Sequence, residues 1–237
     1  MWKRQKVSVV FSTFNEKDSI KEAINDLFKT KYVDEVIVVN NNAVSGTDEE
    51  VKKTKAKLFF ESKQGYGYGY QRGMKEAKGD IIILSEPDGT FVANDVIKLL
   101  SYSDDFDVVF GSRTGSSTIM EGANMGWFLK FGNLFVAKLI EILFNSYSLT
   151  DAGCTMKLFK RNAYNKIKDK FTIGSSQFGP ELIILVILNK IRFVEVPILY
   201  KERIGKSSVT GSRWKAFKLG LQMIILVLNY RIKSLLR

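Results

Sequence analysis

The first half of the chain alternates short apolar runs with segments of helical periodicity. The apolar runs are rich in Val, Ile and Phe and are nearly continuous, a pattern typical of strands buried on both faces. They lie at 6–12, 35–39, 57–61, 80–85 and 107–112. Repeated alternation of strand and helix predicts an α/β fold with a mostly parallel, Rossmann-like sheet and flanking helices.

The segment between the first two predicted strands has its apolar residues at helical spacing. They are Ile20, Ile24, Leu27 and Phe28, and Asn15 or Asp18 is placed to cap the start of this helix. Ligands of parallel α/β sheets bind at the carboxyl ends of the strands. The loops after Ser12, Val39 and Ser85 should therefore meet along one edge of the sheet.

The second half of the chain has a different pattern. Residues 126–144 and 214–237 each combine a broad apolar face with a narrow polar stripe, and neither has the roughly 18 uninterrupted apolar residues of a spanning helix. Either helix would cover the sheet or lie in a membrane surface. We expect a main domain over 1–210, with an amphipathic interface helix at 126–145, followed by a basic, membrane-associating segment over 211–237.

Charge and composition narrow the chemistry. The chain of 237 residues has a formal net charge of +11, and residues 201–237 hold nine basic side chains against Glu202 alone. Such a segment suits anionic lipid headgroups, phosphorylated substrates or nucleic acid.

Histidine is absent and Cys154 is the single cysteine. This composition excludes imidazole bases and His/Cys zinc sites and favours a reducing compartment. Any metal ion should be a hard cation, Mg²⁺ or Mn²⁺. The N-terminus runs directly into a strand pattern, so we expect no signal peptide.

Two carboxylates follow the fourth predicted strand in the stretch Glu86-Pro87-Asp88-Gly89. In an extended segment the side chains of Glu86 and Asp88 point the same way, and Pro87 fixes the backbone between them. Such a pair can chelate a divalent cation that bridges diphosphate oxygens. A solvated acidic turn is the alternative, because Pro-Asp-Gly is a common turn sequence.

The stretch "KQGYGYGYQRG" at 63–73 is rich in glycine and has a basic residue, Arg72, near its end. Gly65, Gly67 and the glycine at 69 would let the backbone approach a phosphate or ribose, and Arg72 would neutralise charge. Its spacing matches neither a P-loop nor a dinucleotide fingerprint. A flexible loop without a ligand is the alternative.

Taken in order, several motifs resemble the family 2 glycosyltransferases, and most of all the polyprenyl- (dolichyl-) phosphate sugar synthases. The resemblance runs from about residue 6 to 208. Its motifs are "FSTFNE", "VIVVNNN", "GYGYGYQRGMKEAKGDIIILSEPDGTF", "GSR", "DAGCTMKLF", "FGPE" and "VEVPILYKERIGKSS". It implies the GT-A fold, which agrees with the α/β interpretation of the strand and helix pattern.

The resemblance also implies roles for individual residues. The nucleotide-sugar positions are Thr13, Phe14, Asn15, Glu16, Asn40, Asn41, Pro87, Glu181 and Lys206, with Asn40 standing where the family usually has Asp. The metal positions are Glu86 and Asp88. Arg113 and Lys130 match positions that contact the acceptor phosphate, Arg203 matches one that contacts the diphosphate, and Asp151 matches an acidic position near the sugar.

The implied reaction moves a sugar from a UDP- or GDP-linked donor to a polyprenyl phosphate, with inversion. A lipid phosphate is already ionised near neutral pH, so no general base is needed, and the catalytic residues are Asp88, Asp151, Arg113 and Arg203. A sugar hydroxyl acceptor would need Asp151 as base.

The resemblance implies a peripheral protein on the cytoplasmic side of a membrane. Self-association and a membrane partner protein are both left open. The alternatives are a sugar nucleotidyltransferase and a basic nucleic-acid-binding module, and nucleic acid is not expected as a partner.

Overall fold

The computed structural model describes residues 1–123, 125–205 and 212–236. Those residues form a seven-stranded mixed sheet in the order β3-β2-β1-β4-β6-β5-β7. The strands are β1 (Val7–Thr13), β2 (Glu35–Asn40), β3 (Lys57–Phe60), β4 (Ile81–Ser85), β5 (Val108–Ser112), β6 (Lys157–Lys160) and β7 (Phe193–Pro197). All neighbours are parallel except β6, which runs antiparallel to β4 and β5. The predicted mostly parallel α/β sheet is confirmed.

Eight α-helices connect and flank these strands in the described part of the chain. They are α1 (Ile20–Lys29), α2 (Thr47–Lys52), α3 (Tyr66–Glu76), α4 (Asp95–Tyr102), α5 (Trp127–Phe144), α6 (Arg161–Ile167), α7 (Phe178–Leu188) and α8 (Arg213–Leu235). The five strands predicted from apolar runs are confirmed with their ends shifted by one residue at most. The helices predicted at 126–144 and 214–237 are observed as α5 and α8.

The sheet separates two apolar cores because successive side chains of a strand face opposite sides. In β1, Val9 and Phe11 pack toward α1 and α4, whereas Val10 packs toward α3, α5, α7 and α8. All three are buried. Coverage of both faces explains why β1, β2, β4 and β5 are continuously apolar. The prediction of burial on both faces is wrong for β3, because this strand lies at the edge of the sheet and Phe60 is exposed.

Strands β6 and β7 were not predicted. β6 is only four residues long and has a lysine at each end, and Lys157 is fully buried. β7 carries Glu195 at its centre. Both strands therefore lack the apolar run that marked the other five, and only their pairing with β5 identifies them.

From Tyr66 onward the glycine-rich stretch forms helix α3, so the flexible loop given as the alternative for 63–73 is not observed there. A Cβ on Gly67 would lie 2.6 Å from the Ile173 carbonyl oxygen, and one on Gly73 would overlap the Val10 side chain. The glycines thus allow α3 to pack closely on the sheet and on the 173–174 segment. Close packing outweighs the low helix propensity of glycine.

The predicted caps of α1 are wrong. Ser19 occupies the N-cap position, and no side chain hydrogen bonds to the first turn. Asn15 lies earlier in the loop, exposed, with its backbone N–H donating to Glu16 Oε2 at 2.9 Å. The hydrogen bonds of this loop go to the Glu16 carboxylate, which leaves Asn15 without a capping role.

Helix α8 packs against α5 and α7 and adds Met223 and Val227 to the core. The opposite surfaces of α5 and α8 are exposed and apolar, with Trp127 and Trp214 more than 70% exposed. Neither helix, nor any other in the ranges 1–123, 125–205 and 212–236, is long and apolar enough to cross a membrane. The predicted boundary near 211 falls in a segment that lies outside the described residues.

Substituting alanine at Gly73 tests the packing of α3. We expect Gly73→Ala to lower the free energy of unfolding by about 1–3 kcal/mol, because the added methyl group must displace Val10 in a filled core. Urea denaturation measures the change. The matched control is Gly132→Ala in α5, where nothing lies within 4 Å of the new Cβ. There the gain in helix propensity should leave stability equal or higher.

Candidate active site

A cavity of about 630 Å³ opens at the carboxyl ends of β1, β2 and β4. Its walls include Thr13 at the end of β1, and Phe14, Asn41, Glu86 and Pro87 in the loops that follow the three strands. Helices α5 and α8 form the opposite, apolar walls of the same cavity. The predicted meeting of three strand ends is observed, and the cavity joins a polar end to an apolar end.

Three carboxylates meet one guanidinium group at the polar end. Arg203 Nη2 lies 2.8 Å from Glu16 Oε1, and Nη1 lies 2.6 Å from Asp88 Oδ2 and 3.9 Å from Glu86 Oε2. Glu16 follows β1, the Glu86–Asp88 pair follows β4, and Arg203 follows β7. The ion pairs therefore join three segments that are remote in sequence.

Asp88 is fully buried, and its two oxygens have different surroundings. Oδ1 accepts hydrogen bonds from the backbone N–H and the hydroxyl of Thr90, at 3.0 and 2.5 Å. Oδ2 faces Arg203, but the angles of that ion pair do not make a hydrogen bond. Oδ2 has no hydrogen-bond donor within the part of the chain that the structure describes. One oxygen is thus held by its own turn, and the other is paired with the Arg203 guanidinium. Asp88 itself does not line the cavity, whereas Glu86 and Arg203 do.

Glu86 lines the cavity and leads into a chain of hydroxyl groups. The Thr155 hydroxyl donates to Glu86 Oε1, and the Tyr66 hydroxyl lies in hydrogen-bond contact with Thr155. Burial and the neighbouring Asp88 charge raise the pKa of the Glu86 carboxyl, and Thr155 and Arg203 oppose the rise. Burial likewise raises the pKa of Tyr66. The Glu86 carboxyl therefore holds a proton more readily than an exposed glutamate does.

A second buried ion pair holds Arg113 at the cavity wall. Arg113 Nε and Nη2 donate to the two oxygens of Asp151 at 2.9 and 3.0 Å, and the Arg113 backbone N–H donates at 2.9 Å. Burial alone would raise the pKa of Asp151, but Arg113 outweighs it and lowers that pKa. Glu195 accepts from the backbone N–H groups of Thr150 and Asp151. Strand β7 thereby fixes the segment that fixes Arg113.

The loop after β1 is organised around Glu16. Its Oε2 accepts from the backbone N–H of Phe14 at 2.7 Å and from the Thr13 hydroxyl at 3.2 Å. Asn41 links the next loop to the start of α3, since its side chain donates to the Lys63 carbonyl at 2.8 Å and accepts from Gly65 N–H at 2.8 Å. These bonds shape a polar wall on which Thr13, Asn41 and Gly65 face the cavity.

Other predicted site residues lie outside the cavity wall. Asn40 is hydrogen-bonded to Asp48 at 2.7 Å, and Arg72 pairs with Glu76 along α3 at 3.1 Å. Asn15 is exposed in its loop, and Gly67 serves the packing of α3. Four of the predicted nucleotide-sugar residues therefore contribute to local structure and do not face the space available to a ligand.

Asp151, Glu181 and Lys130 also do not line the cavity. Both carboxylate oxygens of Asp151 accept hydrogen bonds from Arg113. Glu181 is fully buried in α7 and accepts hydrogen bonds from Thr172 and from the Tyr230 hydroxyl at 2.6 Å, which ties α8 to the body of the protein. Lys130 lies on α5 beside Leu129 and Phe131, which do line the cavity. Lys206 lies outside the described residues.

Four residues of the site were missed by sequence reasoning. Thr155, Tyr66 and Tyr200 line the cavity, and Glu195 positions the segment at 150–151. The Arg113 guanidinium carbon lies 5.1 Å from the centre of the Tyr200 ring. Thr155 and Tyr66 lie inside the motifs, but only the fold shows that the Thr155 hydroxyl donates to Glu86 and that the Tyr66 hydroxyl contacts Thr155.

The donor set suits a hard divalent cation. Asp88 Oδ2 is buried, lacks a hydrogen-bond donor and lies beside the Glu86 carboxylate. Carboxylate oxygens are the ligands that Mg²⁺ and Mn²⁺ prefer. Within residues 1–123, 125–205 and 212–236, no three acidic or cysteine side chains lie close enough together to hold one metal ion. An ion at this site would therefore take its remaining ligands from a substrate or from water.

Comparison with solved structures defines the fold class as GT-A. Glucosyl-3-phosphoglycerate synthase from Mycobacterium tuberculosis, solved with Mn²⁺, UDP and phosphoglyceric acid, superimposes with a TM-score of 0.73. The alignment covers 96% of this chain and 79% of the synthase, at 15% sequence identity. At that identity the similarity establishes the fold.

Residues 8–168 match the model of glycosyl transferase family 2, and the chain belongs to that family. A low-salt glycan biosynthesis hexosyltransferase of Haloferax volcanii is 26% identical over 86% of this chain, which spans 49% of that relative. A dolichyl-phosphate hexose transferase of the same organism is 25% identical, and the match covers 86% of both chains. A UDP-N-acetylglucosamine–dolichyl-phosphate N-acetylglucosaminyltransferase of Methanococcus voltae is 25% identical over 81% of this chain and 84% of that relative.

The raised pKa of Glu86 predicts a pH-dependent effect of removing its charge. The pKa of Glu86 in the native state lies above its ordinary value of 4.5. The contribution of Glu86 to stability is therefore fully present below pH 4.5 and is lost as the pH rises through the native-state pKa. Glu86→Gln removes this loss. We expect the variant to match the parent protein near pH 4.5 and to unfold at a higher temperature near pH 8, measured by circular dichroism without metal or nucleotide.

The control for this comparison is Glu121→Gln, which removes an exposed carboxylate. Its melting temperature should follow the parent protein at both pH values. A Glu86→Gln effect that is equal at pH 4.5 and pH 8 would show that the Glu86 carboxylate is not destabilised by its surroundings.

Proposed function

We propose that this chain transfers a sugar from a nucleoside diphosphate sugar to a polyprenyl phosphate, with inversion at the anomeric carbon and with Mg²⁺ or Mn²⁺ bound at Asp88 and Glu86. The observation that carries this proposal is the single cavity that joins Glu16, Glu86 and Arg203 to apolar walls on α5 and α8. A nucleotide sugar suits the polar end, and a lipid phosphate suits a site that is charged at one end and apolar at the other.

Relatives and structural neighbours support the choice of substrates. Two relatives carry dolichyl phosphate in their names, and one of these names UDP-N-acetylglucosamine as donor. A structural neighbour was solved with UDP and Mn²⁺. A uridine nucleotide is therefore the first donor to test, and the sugar is not specified by any residue.

The residues of the cavity have distinct tasks in this reaction. Thr13, Asn41 and Gly65 would bind the nucleoside, and Arg203 would bind the diphosphate. A divalent ion at Asp88 would supply charge neutralisation for the leaving diphosphate. Arg113, fixed by Asp151, would hold the acceptor phosphate in line with the sugar carbon. Inversion follows because one nucleophile displaces one leaving group directly.

The geometry favours a phosphate acceptor over a sugar hydroxyl. A hydroxyl nucleophile needs a general base within hydrogen-bond reach. Asp151 was the candidate base, but both of its oxygens bind Arg113 and it does not line the cavity. We propose instead that Asp151 positions Arg113. Membership of glycosyl transferase family 2 also speaks against a nucleotidyltransferase and against a nucleic-acid-binding module.

Removal of the Asp88 charge should abolish metal-dependent nucleotide binding. With UDP and Mn²⁺ in about hundredfold excess over their dissociation constants, ligand binding should stabilise the parent protein by about 2.7 kcal/mol. Asp88→Asn should lose the Mn²⁺-dependent part of this shift and should reduce sugar transfer at least about a hundredfold. Thermal unfolding with and without EDTA gives the first measurement.

The matched control is Asp105→Asn, which removes an exposed carboxylate from another surface. It should keep both the thermal shift and the transfer activity. Full activity of Asp88→Asn in the presence of chelator would contradict the metal site.

We further propose that the protein is peripheral, on the cytoplasmic side of a membrane, and that α5 and α8 contact the lipid surface. The support is the exposed apolar surface of these helices together with Lys215, Lys218 and Lys233 of α8. This surface lies on the helices that also wall the cavity. A lipid acceptor would therefore reach the site from the membrane without crossing water.

Substitution of two exposed tryptophans tests membrane contact. We expect the Trp127→Ser, Trp214→Ser double variant to lose most of its co-flotation with phosphatidylcholine–phosphatidylserine vesicles, because large aromatic side chains anchor proteins at the interface. The control is Tyr102→Ser, an exposed aromatic on α4 at the opposite face of the sheet. Point substitutions are preferred over deletion of α8, since Met223 and Val227 belong to the core. Unchanged flotation of the double variant would argue against this surface.

A further inference from the structure

We propose that Arg203 is an internal cation that occupies the place beside Asp88 where the divalent ion binds. The ion then binds tightly only after a nucleoside diphosphate draws the Arg203 side chain away. This inference rests on the proposed function, because it concerns the metal and the donor nucleotide of that same site. According to this inference, Arg203 determines the order of binding, with the nucleotide before the divalent ion.

The position of the guanidinium carries the inference. Nη1 lies 2.6 Å from Asp88 Oδ2, which is the oxygen of the buried carboxylate that lacks a hydrogen-bond donor in the described chain. Divalent ions bind carboxylate oxygens at about 2.0–2.6 Å. The other oxygen, Oδ1, is held by Thr90. An ion that uses Oδ2 therefore needs the space that Nη1 fills.

Charge balance explains why the guanidinium lies there. Glu16, Glu86 and Asp88 surround Arg203, and the Arg203 side chain is only 20% exposed. Carboxylates this close together repel one another in a weakly screened site, and a cation among them relieves the repulsion. Without a ligand, the Arg203 guanidinium is the cation paired with these three groups in the described part of the chain. A divalent ion that entered beside it would meet a positive charge at contact distance.

The diphosphate of a nucleotide can relieve this conflict. A guanidinium binds phosphate oxygens through two parallel hydrogen bonds, so a diphosphate at the cavity wall offers Arg203 an alternative partner. The exchange needs no movement of the main chain. Backbone N–H groups of Lys201 and Ile204 are hydrogen-bonded to the carbonyl oxygens of Thr90 and Asp88 at 2.8 and 2.9 Å. These bonds hold the main chain on either side of Arg203, so the inference assigns the exchange to the Arg203 side chain.

Mn²⁺ titration followed by the electron paramagnetic resonance signal of the free ion tests the inference without an activity assay. The parent protein should bind Mn²⁺ weakly alone and at least about tenfold more tightly with UDP, because the nucleotide removes the competing charge. Arg203→Gln should bind Mn²⁺ alone at least about tenfold more tightly than the parent protein. Its gain on adding UDP should be correspondingly smaller.

Two further variants serve as controls. Arg203→Lys keeps the positive charge and should bind Mn²⁺ alone as weakly as the parent protein. Arg192→Ala removes an equal charge from an exposed side chain at the opposite end of β7, and it should leave both Mn²⁺ affinities unchanged. Circular dichroism confirms folding of each variant, and Arg203→Met replaces Arg203→Gln if the latter does not fold.

The outcomes separate the inference from the function on which it rests. Tighter Mn²⁺ binding by the uncharged variant alone supports the internal cation. Equal Mn²⁺ affinity of the uncharged variant and the parent protein without nucleotide overturns it, even if UDP strengthens binding in both. If the parent protein and the variants bind no Mn²⁺ with UDP present, the proposed metal-dependent transfer itself is wrong.

Discussion

The ion pairs between Arg203 and the carboxylates of Glu16, Glu86 and Asp88 are the interaction on which the arrangement of the site depends. These residues follow β1, β4 and β7, so one guanidinium fixes the ends of strands that do not neighbour one another in sequence. A parallel sheet brings its carboxyl ends to one edge, and negative charge accumulates there when several loops supply acids. The edge is stable without a ligand because a side chain of the protein supplies the opposing charge. In the proposed function the same charges bind a cation and a diphosphate.

A second ion pair gives the cavity a fixed positive group. Arg113 is held by both oxygens of Asp151, and Asp151 is held through its backbone by Glu195 of β7. Burial of an ion pair is costly unless its hydrogen bonds are complete. Here the carboxylates of Asp151 and Glu195 each accept several hydrogen bonds. Arg113 therefore faces the cavity in one orientation, whereas Arg203 is bound through ion pairs that a competing phosphate can replace. The fixed arginine suits an acceptor that must be held in line, and the exchangeable arginine suits the diphosphate of a donor.

Helices α5 and α8 give the site its apolar walls. Their inner residues pack on the sheet or line the cavity, and their outer residues are exposed and apolar. One pair of helices thus connects a surface suited to lipid with a site suited to phosphate. Membership of glycosyl transferase family 2 and the dolichyl-phosphate relatives agree with that geometry. Because Met223 and Val227 of α8 lie in the core, the basic C-terminal segment belongs to the same packed body as the sheet.

The sequence alone determined the features that depend on local periodicity and side-chain chemistry. The five apolar strands, the two long amphipathic helices and the acidic pair after β4 could all be identified because each depends on a few consecutive residues. Tertiary structure decided the rest. Strand β6 has no apolar run of its own and is defined by its antiparallel neighbours. The glycines of α3 are explained by Val10 and Ile173, which pack against the helix from distant parts of the chain. The partners of Asp151 and Arg203 lie 38 and more than 100 residues away. Long-range pairing of this kind depends on how the strands are ordered in space, and no short stretch of sequence encodes that order.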